Sequence, residues 1–356
     1  IYQQRKEENG SSNGTGTETV GRCAGRQKES VGLQTEKVFC KKRGFFRKYA
    51  ALFGEMCYDS SNKNRRKESA MADKPILAIM YDFDRTLSPK DMQEYAFIPG
   101  IDMTPGEFWG KCSEIERQNQ MDQILAYMLV MLREAEGRLL ITRDILRKLG
   151  KDVELFPGVE SWFERVNGYA AVRGLCAEHY IISSGLKPII EGTKIAGAFR
   201  EIYAADFCYN DRGVPYWPAM AVNYTSKTQF LFRINKGVTD VTEHKRLNTY
   251  MPEQRRRVPF RNMVYIGDGF TDVPCMRLVK SNGGHSIAVY EKNREVVNEM
   301  ILQGRVNYAA PADYSENSRM ERTVFAVIDQ IAAESRTAEL QLLCYDKAKE
   351  ERCEDG

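Results

Sequence analysis

The run Ile76-Leu77-Ala78-Ile79-Met80-Tyr81 is apolar at every position and stops at Asp82. A strand with one wet face alternates apolar and polar residues, so an unbroken run predicts a strand covered on both faces, as in the interior of a parallel sheet. Similar runs recur at residues 179–182, 263–266 and 286–290. Between them the spacing predicts helices over 187–195, 226–235, 271–279 and 291–302. Strands alternating with helices specify an α/β fold, here a doubly wound, Rossmann-like parallel sheet with right-handed crossovers. In such sheets a substrate sits at the carboxyl ends of the strands.

The first and second strands are separated by about ninety residues with no strand-like run, too long for a loop. Thr104-Pro105-Gly106-Glu107 reads as a helix start, Ile124, Met128, Leu129 and Leu132 recur at helical spacing, and 142–149 adds a further turn or two. Residues 90–174 are therefore expected to be a helical cap inserted into an α/β core formed by 73–89 and 175–335. Residues 207–215, with Asn210-Asp211-Arg212-Gly213, predict a β-hairpin. Residues 336–356 are expected to be a charged, frayed tail.

Residues 1–72 show no sustained period and include a low-complexity stretch over 8–20, so they are expected to be a disordered tail. Within them, 39–53 mixes Lys41, Lys42, Arg43, Arg47 and Lys48 with Phe45, Phe46, Tyr49 and Leu52, the pattern of a basic helix on a membrane surface. The favoured expectation is blander: translation begins at Met71, and the purine-rich codons implied by Arg65-Arg66-Lys67-Glu68 mark a ribosome-binding site ahead of it.

The net charge of +3 is unevenly placed. Residues 1–72 hold 15 Lys or Arg against 8 Asp or Glu, leaving 37 against 41 for the rest, so the globular part is acidic and gives no argument for nucleic-acid binding. Arg255-Arg256-Arg257 lacks interleaved aromatics and reads as a solvated loop. No apolar run is long enough to span a bilayer, and the first 36 residues lack the apolar core of a signal peptide. Nine scattered cysteines without a CxxC pair, beside only three histidines, argue against zinc and for a reducing compartment. The expectation is a cytoplasmic protein with no stable membrane association. His179 and His285 are expected to lead strands, and Trp109, Trp162 and Trp217 to be packing residues.

The first strand ends Asp82-Phe83-Asp84-Arg85-Thr86. Residues two apart on an extended segment point the same way, so two carboxylates emerge together. One can attack phosphorus, and the other can protonate the leaving oxygen and later deprotonate water. The third of the runs ends Gly267-Asp268-Gly269-Phe270-Thr271-Asp272, and oxygen ligands beside glycines suit a hard divalent cation, with Asp268 the better ligand candidate and Asp272 ligating directly, through water or by orienting another ligand. Ser183-Ser184-Gly185 precedes a helix start, where a hydroxyl and backbone N–H groups can hold phosphate oxygen. Lys227 opens another helix, and its ammonium can neutralise phosphate charge during transfer.

Paired Asp, then Ser, then Lys, then Gly-Asp-Gly-x-Thr-Asp, each at a strand end or helix start, resembles the haloacid dehalogenase superfamily over residues 76–335. The second aspartate and the inserted helices are similar to its phosphoserine-phosphatase-like branch. That resemblance implies a phosphomonoester hydrolase with Asp82 as nucleophile and magnesium ligand, and Asp84 as general acid/base offering its backbone carbonyl to the metal. It further implies Ser183 on the phosphoryl oxygen, with Ser184 as the alternative hydroxyl and Gly185 beside them. Lys227 would sit on the phosphorylated aspartate, Asp268 would complete the metal site, and Asp272 would support it. The implied substrate is a small phosphorylated metabolite, with Asp91, Glu94, Arg117, Arg133 and Arg138 as cap candidates for recognising it. A phosphotransferase of the same fold and a catalytically silent binding module are the competing readings.

Overall fold

The structure, a computed structural model, describes residues 74–354. The readings placed on 1–73, among them the 39–53 segment and the start at Met71, lie outside the described residues. The strands are β1 (Ile76–Tyr81), β2 (Cys176–Leu186), β3 (Phe199–Tyr209), β4 (Pro215–Met220), β5 (Met263–Gly267), β6 (His285–Tyr290) and β7 (Tyr308–Pro311). They form one sheet in the order β4-β3-β2-β1-β5-β6-β7, parallel throughout except for the antiparallel β3/β4 pair. This is the doubly wound α/β fold expected. β1 lies between β2 and β5 with Tyr81 level with Ile181 and Ile266, so the segments that follow all three strands emerge side by side.

The helices are α1 (Phe97–Gly100), α2 (Pro105–Asn119), α3 (Gln123–Ala135), α4 (Arg143–Leu149), α5 (Val159–Val172), α6 (Lys187–Glu191), α7 (Lys227–Lys236), α8 (His244–Asn248), α9 (Val273–Ser281), α10 (Glu295–Leu302) and α11 (Arg319–Glu354). The parity of β1 shows why its run is apolar. Leu77, Ile79 and Tyr81 enter a core with Trp162 and Val166 of α5 and Val324 and Ile328 of α11. Ala78 and Met80 enter the opposite core with Phe230 and Ile234 of α7 and Met276 of α9. Each larger side chain fully removed from water contributes roughly 1.5–3 kcal/mol of transfer free energy, which a single polar residue on either face would forfeit.

Helix α2 starts as its sequence directs. Thr104 Oγ1 accepts from the Glu107 N–H at 3.3 Å while Glu107 Oε2 accepts from the Thr104 N–H at 2.8 Å, and Pro105 occupies the first helical position. It ends at Gln120, whose φ of 48° breaks the helical path. Asp122 then caps α3 by accepting from the N–H groups of Ile124 and Leu125, and α2 and α3 pack on each other. In the expected hairpin, Asn210 Oδ1 accepts from the N–H groups of Arg212 and Val214, and Gly213 takes the left-handed turn position.

Several elements differ from the sequence reading. Helix α5, inside the expected 90–174 insertion, packs on the sheet: Trp162 is fully buried and its Nε1 donates to the Tyr81 hydroxyl at 2.9 Å. Helix α6 stops at Glu191, short of the expected 195, and the Gly192 that follows lets α4 approach closely, since a Cβ there would stand 1.7 Å from the Arg147 carbonyl oxygen. The charged stretch expected to fray from 336 is part of α11, which runs to Glu354. Its residues are good helix formers without Gly or Pro, so the helix continues beyond Ser335, the last buried side chain on it among the described residues. β2 begins at Cys176, upstream of His179, whose ring lies buried in mid-strand between the Tyr81 hydroxyl and Asn167. Trp217 is 67% exposed on the edge strand β4, so it is a surface residue and not the packing residue expected. Among the described residues no helix is long and apolar enough to cross a membrane.

Candidate active site

The Asp82 N–H donates to the Ile266 carbonyl at 2.9 Å, extending the β1–β5 ladder by one residue and fixing that backbone before the chain turns away. Its carboxylate is held at both oxygens: Oδ1 accepts from the Phe83 N–H at 2.7 Å, and Oδ2 lies 2.9 Å from Lys227 Nζ. Lys227, the first residue of α7, is fully buried, and Nζ also donates to Asp272 Oδ1 at 2.8 Å. The Tyr265 hydroxyl donates to that same oxygen at 2.7 Å. A buried ammonium thus joins the segments after β1 and β5. Asp84 Oδ1 accepts only one backbone bond, from Met92 at 2.8 Å, among the described residues.

These environments separate the two aspartates of the first motif. Burial pushes Asp82 up to about 6, with Lys227 pulling it down and Asp272 pushing it up. Burial, then the charges of Asp91 and Asp82, holds Asp84 well above the ordinary carboxylate range. Asp268 is raised in the same direction by burial, Asp272 and Asp82. For Lys227, burial disfavours the charge, but Asp272 and Asp82 outweigh it and keep the ammonium protonated. One partly satisfied cluster therefore holds more carboxylate than its lysine neutralises.

Asp82, Asp268 and Asp272 each offer an oxygen within 4.8 Å of the others, an all-oxygen donor set. That donor chemistry fits a small hard cation such as magnesium, and the mutual repulsion among the carboxylates is what such a cation relieves. A pH dependence follows. The unfolded chain loses the Asp82 proton near 3.8 and the folded protein near 6, so between these values the unfolded state binds fewer protons and stability falls as pH rises. The metal-free protein is expected to lose about 2 kcal/mol between pH 4 and pH 8 from Asp82 alone. Thermal melts should show magnesium raising Tm clearly at pH 8 and little at pH 4; equal shifts at both would contradict the assignment.

Ser183 is fully buried and its Oγ accepts from the Gly185 N–H at 3.0 Å, leaving the hydroxyl proton for a ligand. Ser184 also borders the cleft, but its carbonyl is taken by the Tyr127 hydroxyl of α3 at 2.8 Å. A Cβ on Gly185 would stand 2.0 Å from Met92 Cε and 2.9 Å from Asp84 Oδ2. Gly185→Ala is therefore expected to displace Asp84 and lower kcat by about tenfold to a hundredfold while the protein stays folded, measurable by steady-state kinetics beside circular dichroism.

The cleft holds about 520 Å³ and lies between these strand ends and the α2–α3 pair, which contributes Trp109, Glu116, Gln123 and Tyr127. Of the cap candidates read from sequence, only Asp91 lines it. Glu94 lies behind, accepting from Trp109 Nε1 at 3.2 Å. Arg117 and Arg133 are exposed, and Arg138 donates to the Ile101 carbonyl. The reading missed Arg85, Gln93, Glu116, Trp109 and Tyr127 as lining residues because nothing local distinguishes a polar cap residue facing the cleft from one facing water. Tyr265 was legible in principle: a phenol inside an apolar strand run needs a partner.

The chain belongs to the haloacid dehalogenase-like hydrolase family, whose sequence model matches residues 79–277. An uncharacterized protein of Borreliella burgdorferi is 27% identical over 275 residues, covering 69% of this chain and 94% of that protein. Similar solved structures include a substrate-bound phosphoserine phosphatase, 15% identical over 67% of this chain and 93% of that one at TM-score 0.43. A probable phosphoserine phosphatase from Vibrio cholerae is 14% identical over 79% of this chain and 76% of that one at TM-score 0.45. A hydrolase of the same family from Salmonella enterica serovar Typhi is 17% identical over 71% and 77%, at TM-score 0.42.

Proposed function

We propose that this hydrolase is a magnesium-dependent phosphatase of small phosphorylated metabolites that works through an aspartyl phosphate on Asp82. The observation that carries the proposal is the contrast between the two aspartates. Asp82 is held at both oxygens beside an ammonium, whereas Asp84 is half-buried with the charges of Asp91 and Asp82 nearby, which raises its pKa well above the ordinary carboxylate range and favours its acid form. A nucleophile and an acid are thereby poised before substrate arrives.

Ser183 Oγ–H would bind a phosphoryl oxygen and hold phosphorus in line with Asp82. An Asp82 oxygen attacks, the bond from phosphorus to the leaving alcohol breaks, and Asp84 gives its proton to that oxygen. Asp84, now ionised, takes a proton from water, the water oxygen attacks phosphorus, and the bond to Asp82 breaks to release phosphate. Lys227 stays protonated throughout and offsets charge on Asp82, held in place by Asp272, which the Tyr265 hydroxyl in turn orients. Magnesium, held by Asp82, Asp268, the Asp84 carbonyl and Asp272 directly or through water, would supply charge stabilisation to the phosphoryl oxygens. The α2–α3 pair would form the cap that limits bulk water and restricts access to small substrates.

The acidic character of the cleft supports a metabolite over a nucleic acid, and the free thiols of Cys112, Cys176, Cys208, Cys275 and Cys344 support a reducing, cytoplasmic location. Hydrolysis of an aryl phosphate and a metabolite panel, with magnesium or chelator, tests the reading. Magnesium-dependent phosphate release is expected. A folded, metal-loaded protein that releases none would move the phosphotransferase and silent-module readings ahead.

A further inference from the structure

The side chains that line the cleft beside the catalytic candidates have an unusual chemical balance. Among the described residues lining it, Arg85 is the one cation, and its guanidinium is committed: Nε and Nη2 donate to the two oxygens of Asp91 at 3.1 and 2.9 Å, and Nη2 lies 3.9 Å from Glu94. Glu116 lines the same cleft and makes no ion pair among the described residues. The rings of Trp109 and Tyr127 stand edge to face at 6.2 Å, and Trp109 Nε1 points its positive edge at Glu94. The independent observation is Gln93: it is 2% exposed, borders the cleft, and its Oε1 has no hydrogen-bond partner among the described residues. A buried carbonyl without a donor costs free energy that a ligand N–H would recover.

Resting on the phosphatase reading above, we propose that the cleft takes a phosphomonoester whose leaving alcohol carries a protonated primary amine and no carboxylate, an amino-alcohol phosphate, read by Gln93 and Glu116. Gln93 Oε1 accepts an ammonium N–H, Glu116 balances its charge, and the aromatic faces favour a cation over an anion. A carboxylate on the leaving group finds no uncommitted cation and meets Asp91 and Glu116. A quaternary ammonium satisfies the charge but gives Gln93 no donor.

The test is calorimetric binding to Asp82→Asn with magnesium, where turnover does not interfere, using phosphoethanolamine, phosphocholine, phosphoserine and glycerol phosphate. Phosphoethanolamine is expected to bind on the order of tenfold more tightly than glycerol phosphate and than phosphoserine, with phosphocholine between. Adding Glu116→Gln or Gln93→Met should erase the preference for the amine, with circular dichroism reporting the fold. Equal binding of the amine and glycerol compounds, or a preference for phosphoserine, overturns the inference. Aryl phosphate turnover by the wild type separates the two claims. Turnover without amine preference removes this inference alone; amine preference without any turnover leaves the binding site standing and removes the phosphatase reading.

Discussion

Asp82→Asn is expected to lower phosphatase turnover by about three orders of magnitude or more while leaving the protein folded. The amide keeps the shape that accepts from the Phe83 N–H but is no nucleophile at phosphorus. The same change relieves the carboxylate cluster, since Lys227 then answers to Asp272 alone. Loss of activity should therefore coincide with equal or higher stability of the metal-free protein at pH 8, read from urea midpoints. A variant that lost activity because it unfolded would show the opposite sign. This pairing follows from a site whose working geometry is held against local repulsion.

Lys227→Met is expected to be the most destabilising single change in the site. It removes a fully buried ammonium and strands Asp82 and Asp272 with no counter-charge, which costs about 3–5 kcal/mol. Asp272 would keep only the Tyr265 hydroxyl and the Gly269 N–H. Denaturant unfolding at pH 8 measures the loss, and magnesium should restore part of it by taking over the neutralisation. The double change Lys227→Met with Asp272→Asn should cost less than the sum of the single changes, because the stranded charge disappears with its carboxylate. Strict additivity would show that the lysine acts only as a packing residue.

The sheet core was legible where a local pattern determines a global environment. The run before Asp82 can be buried on both faces in only a few architectures, and β1, β5 and β6 lie where such runs occur. β7 was missed because its four residues, Tyr308–Pro311, are too short for any period to register. β3 was read only from its hairpin end, since Phe199–Tyr209 mixes Arg200, Glu201 and Asp206 into the strand. Helix α5 was absorbed into the expected cap because its apolar residues match a cap helix equally well; its contacts with the sheet, Trp162 on Tyr81 and Asn167 on His179 among them, are what assign it there.

The catalytic candidates were legible for a different reason. Asp82, Asp84, Ser183, Lys227, Asp268 and Asp272 sit at strand ends or helix starts, and once strand order is fixed those positions must converge. The structure brings Asp82, Asp84, Ser183, Ser184, Gly185 and Asp268 to the border of one cleft, with Lys227 and Asp272 buried behind it. The distal wall was not legible. Whether Glu116 faces ligand or solvent depends on the rotation of α2 over the strand ends, and no spacing within that helix records it.

The most direct test of the central claim is to stop turnover of a good phosphomonoester in acid within milliseconds and map the protein by mass spectrometry. A phosphoryl group is expected on the peptide containing Asp82, removed by hydroxylamine and absent from Asp82→Asn and from chelator-treated protein. Phosphate release at full rate with no label at Asp82, or a label on another residue, would contradict that claim.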